Sequence, residues 1–350
     1  MDEVELKYEE VQRLTYVDDL ANEYKGIMAM YLFEDKQYEA IEMCHTFSDK
    51  VIQIDTSPEE IVTLHMDLID EMTLTDGELI RSSLNILQEV LIAFGFTYRD
   101  YRAMLAKLET HDKELDVASS LQETMLKAPI PVLNSLEIGA ISVPAGKVSG
   151  DYFNIINHEN HLLSFGVADV IGKGIPAAIA MSMVKFAMDF QGATINPSEG
   201  LQKLNRVVER NVNQNMFITM FYGLYDIQEG TLEYSSAGHE PGLIYRSATN
   251  EFEEIDAKGI VLGVTDSAEY EQRRVTLDKE DMLIVCTDGV TELRKHDDTF
   301  IDLNDIKDMI YDTKDHHPQD IVQHVYESLT RMQHANKKDD LTLFILKNTG

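Results

Sequence analysis

The spacing of apolar positions divides the chain into three stretches. Over residues 1–78, Leu, Met, Ala and Ile recur among Asp and Glu with little glycine, a helical texture. Ser57-Pro58-Glu59-Glu60 reads as a helix start: Ser57 can cap, Pro58 fits the first helical position, and Glu60 stands where a capping box needs it. Ile61, Leu64 or His65, Leu68 and Met72 then share one face, as in a bundle helix. From Ile80 the apolar positions alternate by four and three through Leu84, Leu87, Leu91, Phe94, Tyr98, Tyr101, Leu105 and Leu108. That stripe predicts either a coiled coil with a second chain or one long helix on its own domain; the coiled coil is favoured, with Gly95 as its weak point. Helix continues through Val117–Met125, and Pro129 and Pro131 mark a boundary.

Beyond residue 132 the texture becomes β-rich. Leu136–Val143, His161–Ala168, Phe217–Ile227, Leu232–Ser236, Gly242–Arg246, Gln272–Leu277, Met282–Thr287 and Leu341–Leu346 read as strands. Helical stretches fall at about 174–190, 198–213, 302–312 and 318–334. Strands and helices are segregated rather than strictly alternated, so the expected class is α+β, mixed α/β with antiparallel sheets. Three parts are expected: a helical domain over 1–80, a helical coiled-coil linker over 81–120, and a larger domain over 121–350.

The length of 350 residues suits more than one core, and a hydrophobic fraction of 44% can build them. A net charge of −32 argues against nucleic acid and anionic membranes as partners. Half of it sits in the first eighty residues, with 21 acidic against 5 basic side chains, which suits a basic protein partner or a solvated acidic face. Cys44 and Cys286 stand alone, which argues for neither a disulfide framework nor a thiolate zinc site. With no basic-then-apolar start and no run of eighteen apolar residues, a soluble cytoplasmic protein is expected.

The chain has no phosphate-cradling Gly-x4-Gly-Lys-Ser/Thr loop, no Gly-x-Ser-x-Gly elbow and no His-Glu-x-x-His helix. What stands out is aspartate at strand ends beside glycine: Gly150-Asp151, Asp169-Val170-Ile171-Gly172-Lys173-Gly174, Thr287-Asp288-Gly289 and Asp339-Asp340. A carboxylate fixed at a strand end, with turn carbonyls and water close by, is what magnesium or manganese takes as ligand. Each alone reads as a turn residue or helix cap; four together point to a metal site. The pairs His316-His317 and His158 with His161 look like loop residues.

These segments resemble the bacterial, SpoIIE-type branch of the PPM family of metal-dependent serine/threonine phosphatases. The matching pieces are Ser149-Gly150-Asp151-Tyr152-Phe153, Val167 to Ala178, Ala237-Gly238-His239-Glu240-Pro241, Thr287 to Glu292, and Asp339-Asp340-Leu341-Thr342, in family order over roughly 120–350. The resemblance implies a β-sandwich flanked by helices with metals at one edge. It makes Asp169 the bridging ligand of two Mn2+ or Mg2+ ions, with the Val170 carbonyl beside it, and Asp288 and Asp339 ligands of one ion. Asp151 acts through metal-bound water. Two such ions activate water for in-line attack on phosphorus. Gly150, Gly172 and Gly289 shape the loops, Asp340 stands behind the ligands, and His239 orients substrate or water or is a structural turn histidine. The family's first motif commonly reads Gly-Gly-Asp-Phe-Tyr-Asp; Ser149 and Asn154 replace its first Gly and last Asp, so one accessory carboxylate is missing.

With the acidic helical front, the whole is similar to RsbU-like regulators of the sigma-B stress response. That likeness implies a homodimer, an RsbT-like activator, and a phosphorylated RsbV-like STAS-domain substrate. The periodic stripe itself, rather than the likeness, predicts that Ile80, Leu84, Leu87, Leu91 and Phe94 form an activation linker. The alternatives are a PPM phosphatase with a different sensor input and a pseudophosphatase used as an interaction module.

Overall fold

The computed structural model describes residues 19–54, 56–158, 161–172, 174–191, 196–212, 215–295, 299–332 and 339–350. Lys173 of the longest aspartate motif lies outside them, as does the acidic stretch before residue 19. The chain divides into two compact units, Met1–His111 and Asp112–Gly350.

The first unit is helical: α1 (residues 19–33), α2 (Gln37–Gln53), α3 (Pro58–Glu71), and the part of α4 (Gly77–Met125) that precedes residue 112. The capping box read at Ser57 is present: Glu60 N–H donates to Ser57 Oγ (3.3 Å), and Ser57 N–H donates to the Glu60 carboxylate (2.7 Å). Tyr24, Ile27, Phe47, Ile61, Ile86 and Val90 fill the core. The buried face of α4 is Ser83, Ile86, Val90, Ala93 and Phe94. It lies one step round the helix from the expected stripe, of which Phe94 alone is fully buried. Ile80, Leu87 and Leu91 are half-buried, while Leu84, Tyr98, Tyr101, Leu105 and Leu108 are exposed. α4 therefore carries two adjacent stripes with the same three-and-four spacing, offset by one residue, and the bundle buries Ser83, Ile86, Val90 and Ala93 rather than Leu84, Leu87 and Leu91. Part of α4 is long and apolar enough to cross a bilayer, but a third of that stretch is buried against the rest of the protein, a pattern that a helix contributing to a bundle core also gives.

The second unit is a sandwich of two five-stranded antiparallel sheets. One runs β1 (Leu136–Val143), β10 (Leu341–Asn348), β9 (Met282–Cys286), β6 (Gly242–Arg246), β7 (Glu251–Ile255). The other runs β2 (Asp151–Asn157), β3 (Leu162–Ile171), β4 (Phe217–Asp226), β5 (Thr231–Ala237), β8 (Arg273–Thr276). Between them Phe165 stacks on Phe344 with ring centroids 4.8 Å apart. Helices α5 (Ile175–Asp189) and α6 (Pro197–Asn211) cover the second sheet, with Met181, Val184 and Leu204 against its outer face. Helices α8 (Leu303–Thr313) and α9 (Pro318–Met332) cover the first through Ile306, Ile321 and Val325.

Eight strands fall where the apolar runs place them. β2 and β7 escape that reading for different reasons. Asp151, Asn154 and Asn157 dilute β2 with residues of low strand propensity, and β7 is an edge strand whose Glu251, Glu253 and Glu254 hide its pattern.

Candidate metal centre

Four strand ends, two from each sheet, meet at one edge of the sandwich. Asp151 opens β2 and stands opposite Asp169, near the end of β3, in the antiparallel register. On the other sheet Thr287 follows β9 and leads into α7 (Asp288–Thr291), while Asp339 and Asp340 precede β10. Thr287 sews the sheets together. Its Oγ1 donates to Asp151 Oδ2 (2.6 Å) and accepts from Thr342 N–H (3.0 Å).

The electrostatics report crowding. Burial holds the Asp151 carboxyl well above the usual carboxylate range; the Thr287 hydroxyl opposes this and the Asp169 charge adds to it. Asp169 is pushed up to about 6, first by burial and then by Asp288; Asp339 and Asp340 add to the effect, and a hydrogen bond with Asp151 works against it. Oxygen donors of one sign gathered in a part-dry edge are a donor set that fits a hard divalent cation. Among the described residues, no three Asp, Glu, His or Cys side chains stand ready-made around one point. The two observations agree, because charge acts over longer distances than ligation. Ions held by such an edge rely on backbone carbonyls and retained water as well as on carboxylates.

Two glycines make the close approach possible. A Cβ at Gly289 would lie 1.8 Å from the Asp340 carbonyl oxygen, so no larger residue lets the turn after β9 pass the chain before β10. A Cβ at Gly150 would press on the Val170 and Gly172 carbonyl oxygens at 3.2 and 3.4 Å. Both carbonyls thus border the carboxylate edge. Asp340 holds the turn before β2: its Oδ1 accepts from Ala145 N–H and its Oδ2 from Gly150 N–H, both at 2.6 Å. Asp339 Oδ1 accepts from the Asp340 N–H (3.1 Å).

His239 lies behind this edge. Its Nδ1 is 2.9 Å from the hydroxyl of Thr219, which pairs with Asp169 across β3 and β4, and its backbone N–H donates to Ser236 Oγ (3.1 Å). Nε2 is buried without a hydrogen-bond partner of good geometry. Burial pushes the imidazole down to about 4, opposed by the Cys286 carbonyl. Glu240, next along, is raised by burial and then by Asp288 and Glu292. The remaining histidines stay apart: His158 is within 2.7 Å of Ser164 Oγ, and His316 and His317 bond within the turn between α8 and α9. Cys44 and Cys286 are buried free thiols.

The two departures in the first motif have local explanations. Ser149 Oγ accepts from Asp151 N–H (3.0 Å), a bond glycine cannot make. Asn154, three residues along the strand, points to the opposite face from Asp151 and donates to Asp189 Oδ1 on α5 (3.0 Å). Two participants escaped the sequence. Thr287 was legible only as the end of an apolar strand run, and its bond to Asp151 was not. Gln122, on α4, bonds both backbone groups of Ser149, and no motif announces it.

Comparison with known proteins places this geometry in a family. Residues 159–349 match the family profile of stage II sporulation protein E, and residues 22–97 match that of the phosphoserine phosphatase RsbU N-terminal domain. The chain is 38% identical over 325 residues to phosphoserine phosphatase RsbU of Bacillus subtilis (strain 168), covering 93% of this chain and 96% of that protein. The fold is that of the SiaA PP2C domain of Pseudomonas aeruginosa (TM-score 0.60, 18% identity, 70% of this chain and 98% of that one). It is shared by the PP2C domain of SpoIIE from Bacillus subtilis, solved with a fragment of its regulatory domain (TM-score 0.53, 20% identity, 61% of this chain and 63% of that one).

Proposed function

The chain belongs to the RsbU group of SpoIIE-type, PPM-family metal-dependent serine/threonine phosphatases, and from that premise we propose that it dephosphorylates a phosphoserine or phosphothreonine of an RsbV-like STAS-domain protein when an RsbT-like partner activates it. In this reading it switches on a sigma-B-type stress response in the cytoplasm. The observation that carries the catalytic part is the edge at which burial and the charges of Asp288, Asp339 and Asp340 raise the proton affinity of Asp169, and burial with the charges of Asp169 and Asp340 raises that of Asp151.

Asp169, Asp288, Asp339 and the Val170 carbonyl would hold two Mn2+ or Mg2+ ions, with Asp151 beside them. Bound there, the ions supply the Lewis acidity that makes water a nucleophile and neutralises phosphoryl charge. Assigning Asp339 rather than Asp340 is supported by the backbone N–H groups already on both oxygens of Asp340. The protein's own contribution is to fix the carboxylates: Thr287 orients Asp151, the register of β2 and β3 sets Asp151 opposite Asp169, and Gly289 lets the turn after β9 touch the chain before β10. His239, bonded to Thr219, sits as a support for β4 rather than as an acid or base.

Residues 1–80 serve as the dimerising, partner-binding domain, 81–120 as the linker and 121–350 as the catalytic domain. The exposed stripe of Leu84, Tyr98, Tyr101, Leu105 and Leu108 supports pairing of two linkers. The test is phosphate release from a phosphorylated STAS-domain protein by the full chain, with and without Mn2+ and a purified RsbT-like protein. The expected result is release that needs metal and rises with the partner. Metal-independent release removes the catalytic assignment, and indifference to the partner removes the regulatory one.

A further inference from the structure

The last turns of α4 meet the catalytic unit in an unusual way. Between Asp112 and Met125 the apolar Val117 and Leu121 face solvent, and the one buried side chain is that of Gln122. Amphipathic helices normally dock through apolar residues, because burial of a polar group costs free energy unless every hydrogen bond is replaced. Gln122 replaces them on a single residue. Its Nε2 donates to the Ser149 carbonyl (2.6 Å), and its Oε1 accepts from Ser149 N–H (2.9 Å). A cleft of about 900 Å3 opens between residues 119–127 and the strands β1 and β2, and Leu126, just past the helix end, packs on the core of the second sheet. Further back, Lys147 forms exposed ion pairs with Asp112 (2.7 Å) and Asp116 (2.6 Å) of the same helix.

Ser149 is two residues from Asp151, and both of its backbone polar groups are engaged. Its N–H and C=O belong to Gln122, and its Oγ accepts from Asp151 N–H. On the other side of the same turn, Asp340 takes the Ala145 and Gly150 N–H groups. The backbone that delivers Asp151 is thus fixed from two directions, by a carboxylate of the sandwich and by an amide of the helix. A flexible glutamine between water and a backbone turn gains little; a dry one with both ends used is directional and sets position.

We propose that Gln122 is a positioning residue for the metal centre: it holds the Ser149–Asp151 turn in the geometry that binds divalent cations, so that ion affinity depends on whether the end of α4 is docked. This rests on the reading of Asp151 and Asp169 as the metal-binding carboxylates. Groups behind metal ligands that orient them typically change affinity by roughly 10–100-fold when removed. Isosteric Gln122→Met deletes both hydrogen bonds while keeping size. Gln122→Glu keeps the acceptor for Ser149 N–H but sets a carboxylate against the Ser149 carbonyl.

The experiment is Mn2+ binding to the full-length protein, followed by loss of the free-ion electron paramagnetic resonance signal, beside the thermal unfolding midpoint without metal. Parent, Gln122→Met, Gln122→Glu and Asp169→Asn are compared. Expected are a dissociation constant raised roughly 10–100-fold in Gln122→Met, a smaller rise in Gln122→Glu, and loss of binding in Asp169→Asn. Unchanged Mn2+ affinity in Gln122→Met, with or without a lower unfolding midpoint, makes the contact merely structural and overturns the proposal. If Asp169→Asn also binds like the parent, the metal assignment itself is what fails. Should Gln122→Met not fold, Gln122→Glu decides alone, and parent-like affinity there overturns the proposal.

Discussion

Each unit buries a histidine, and the two are treated differently. In the helical unit His65 is fully enclosed, yet both ring nitrogens have partners: Tyr24 OH at 2.9 Å and Ser83 Oγ at 3.3 Å. In the sandwich His239 has Thr219 on one nitrogen and only the poorly aligned Cys286 carbonyl to act on its ring otherwise, beside an edge where carboxylates crowd one another. The first is a closed polar network of the kind that fixes how helices pack. The second belongs to a region that leaves polar and charged groups in tension, as sites awaiting a ligand do. The helical unit is built to be finished by folding, and the catalytic edge to be finished by ions.

The largest expected effect tests the catalytic side of this contrast. Asp169→Asn removes a carboxylate charge from the centre of the proposed metal site, and the several kcal/mol of transition-state stabilisation that ions supply corresponds to a loss on the order of a thousandfold in turnover. Steady-state phosphate release at saturating Mn2+ measures it; parent-like turnover would falsify the role given to this edge.

On the helical side, His65→Leu strands the Tyr24 hydroxyl in the core and is expected to destabilise that unit by about 1–3 kcal/mol. The Mn2+-driven activity measured without an activator should persist. Urea unfolding followed by separate probes in the two units reads the difference, and equal destabilisation of both breaks the comparison.

Acid should move the two regions in opposite directions when no metal is present. The carboxyl of Asp169 is raised to about 6 in the fold, against about 3.9 in an unfolded chain. The folded unit therefore binds more protons between those values, and its stability rises as pH falls from 7 towards 4. Burial lowers His65, so below about 6.5 the unfolded chain binds more protons and the helical unit loses stability over the same fall. Saturating Mn2+ should reverse the first trend, since protons then compete with the ion. Thermal midpoints of the two transitions against pH, with and without metal, decide it.

The smallest expected effect is Gly95→Ala. A methyl group at Gly95 meets nothing within 4 Å, so the change should stabilise α4 by up to about 1 kcal/mol through helix propensity alone. The helical transition should shift by a few degrees at most while that of the sandwich stays in place.

What the sequence determined by itself was local in origin. A capping box spans three residues, an apolar alternation spans one strand, and an aspartate closing such a run is anchored by the strand it ends; Ser57, β1, β6, Asp169 and Asp288 could all be read in this way. The α+β class with antiparallel sheets followed from the same periodicities, whereas the two-sheet sandwich came from the resemblance to the phosphatase family. The tertiary structure decided everything carried by backbone groups far apart in the chain. Gln122 meets Ser149 across 27 positions, Asp340 meets Ala145 across 195, and Thr287 meets Asp151 across 136. It also chose which of two neighbouring stripes of α4 is buried, because both are apolar and only the surfaces of the other helices select between them. A period records which face of an element is dry; it carries no record of which distant amide, hydroxyl or carboxylate closes over it.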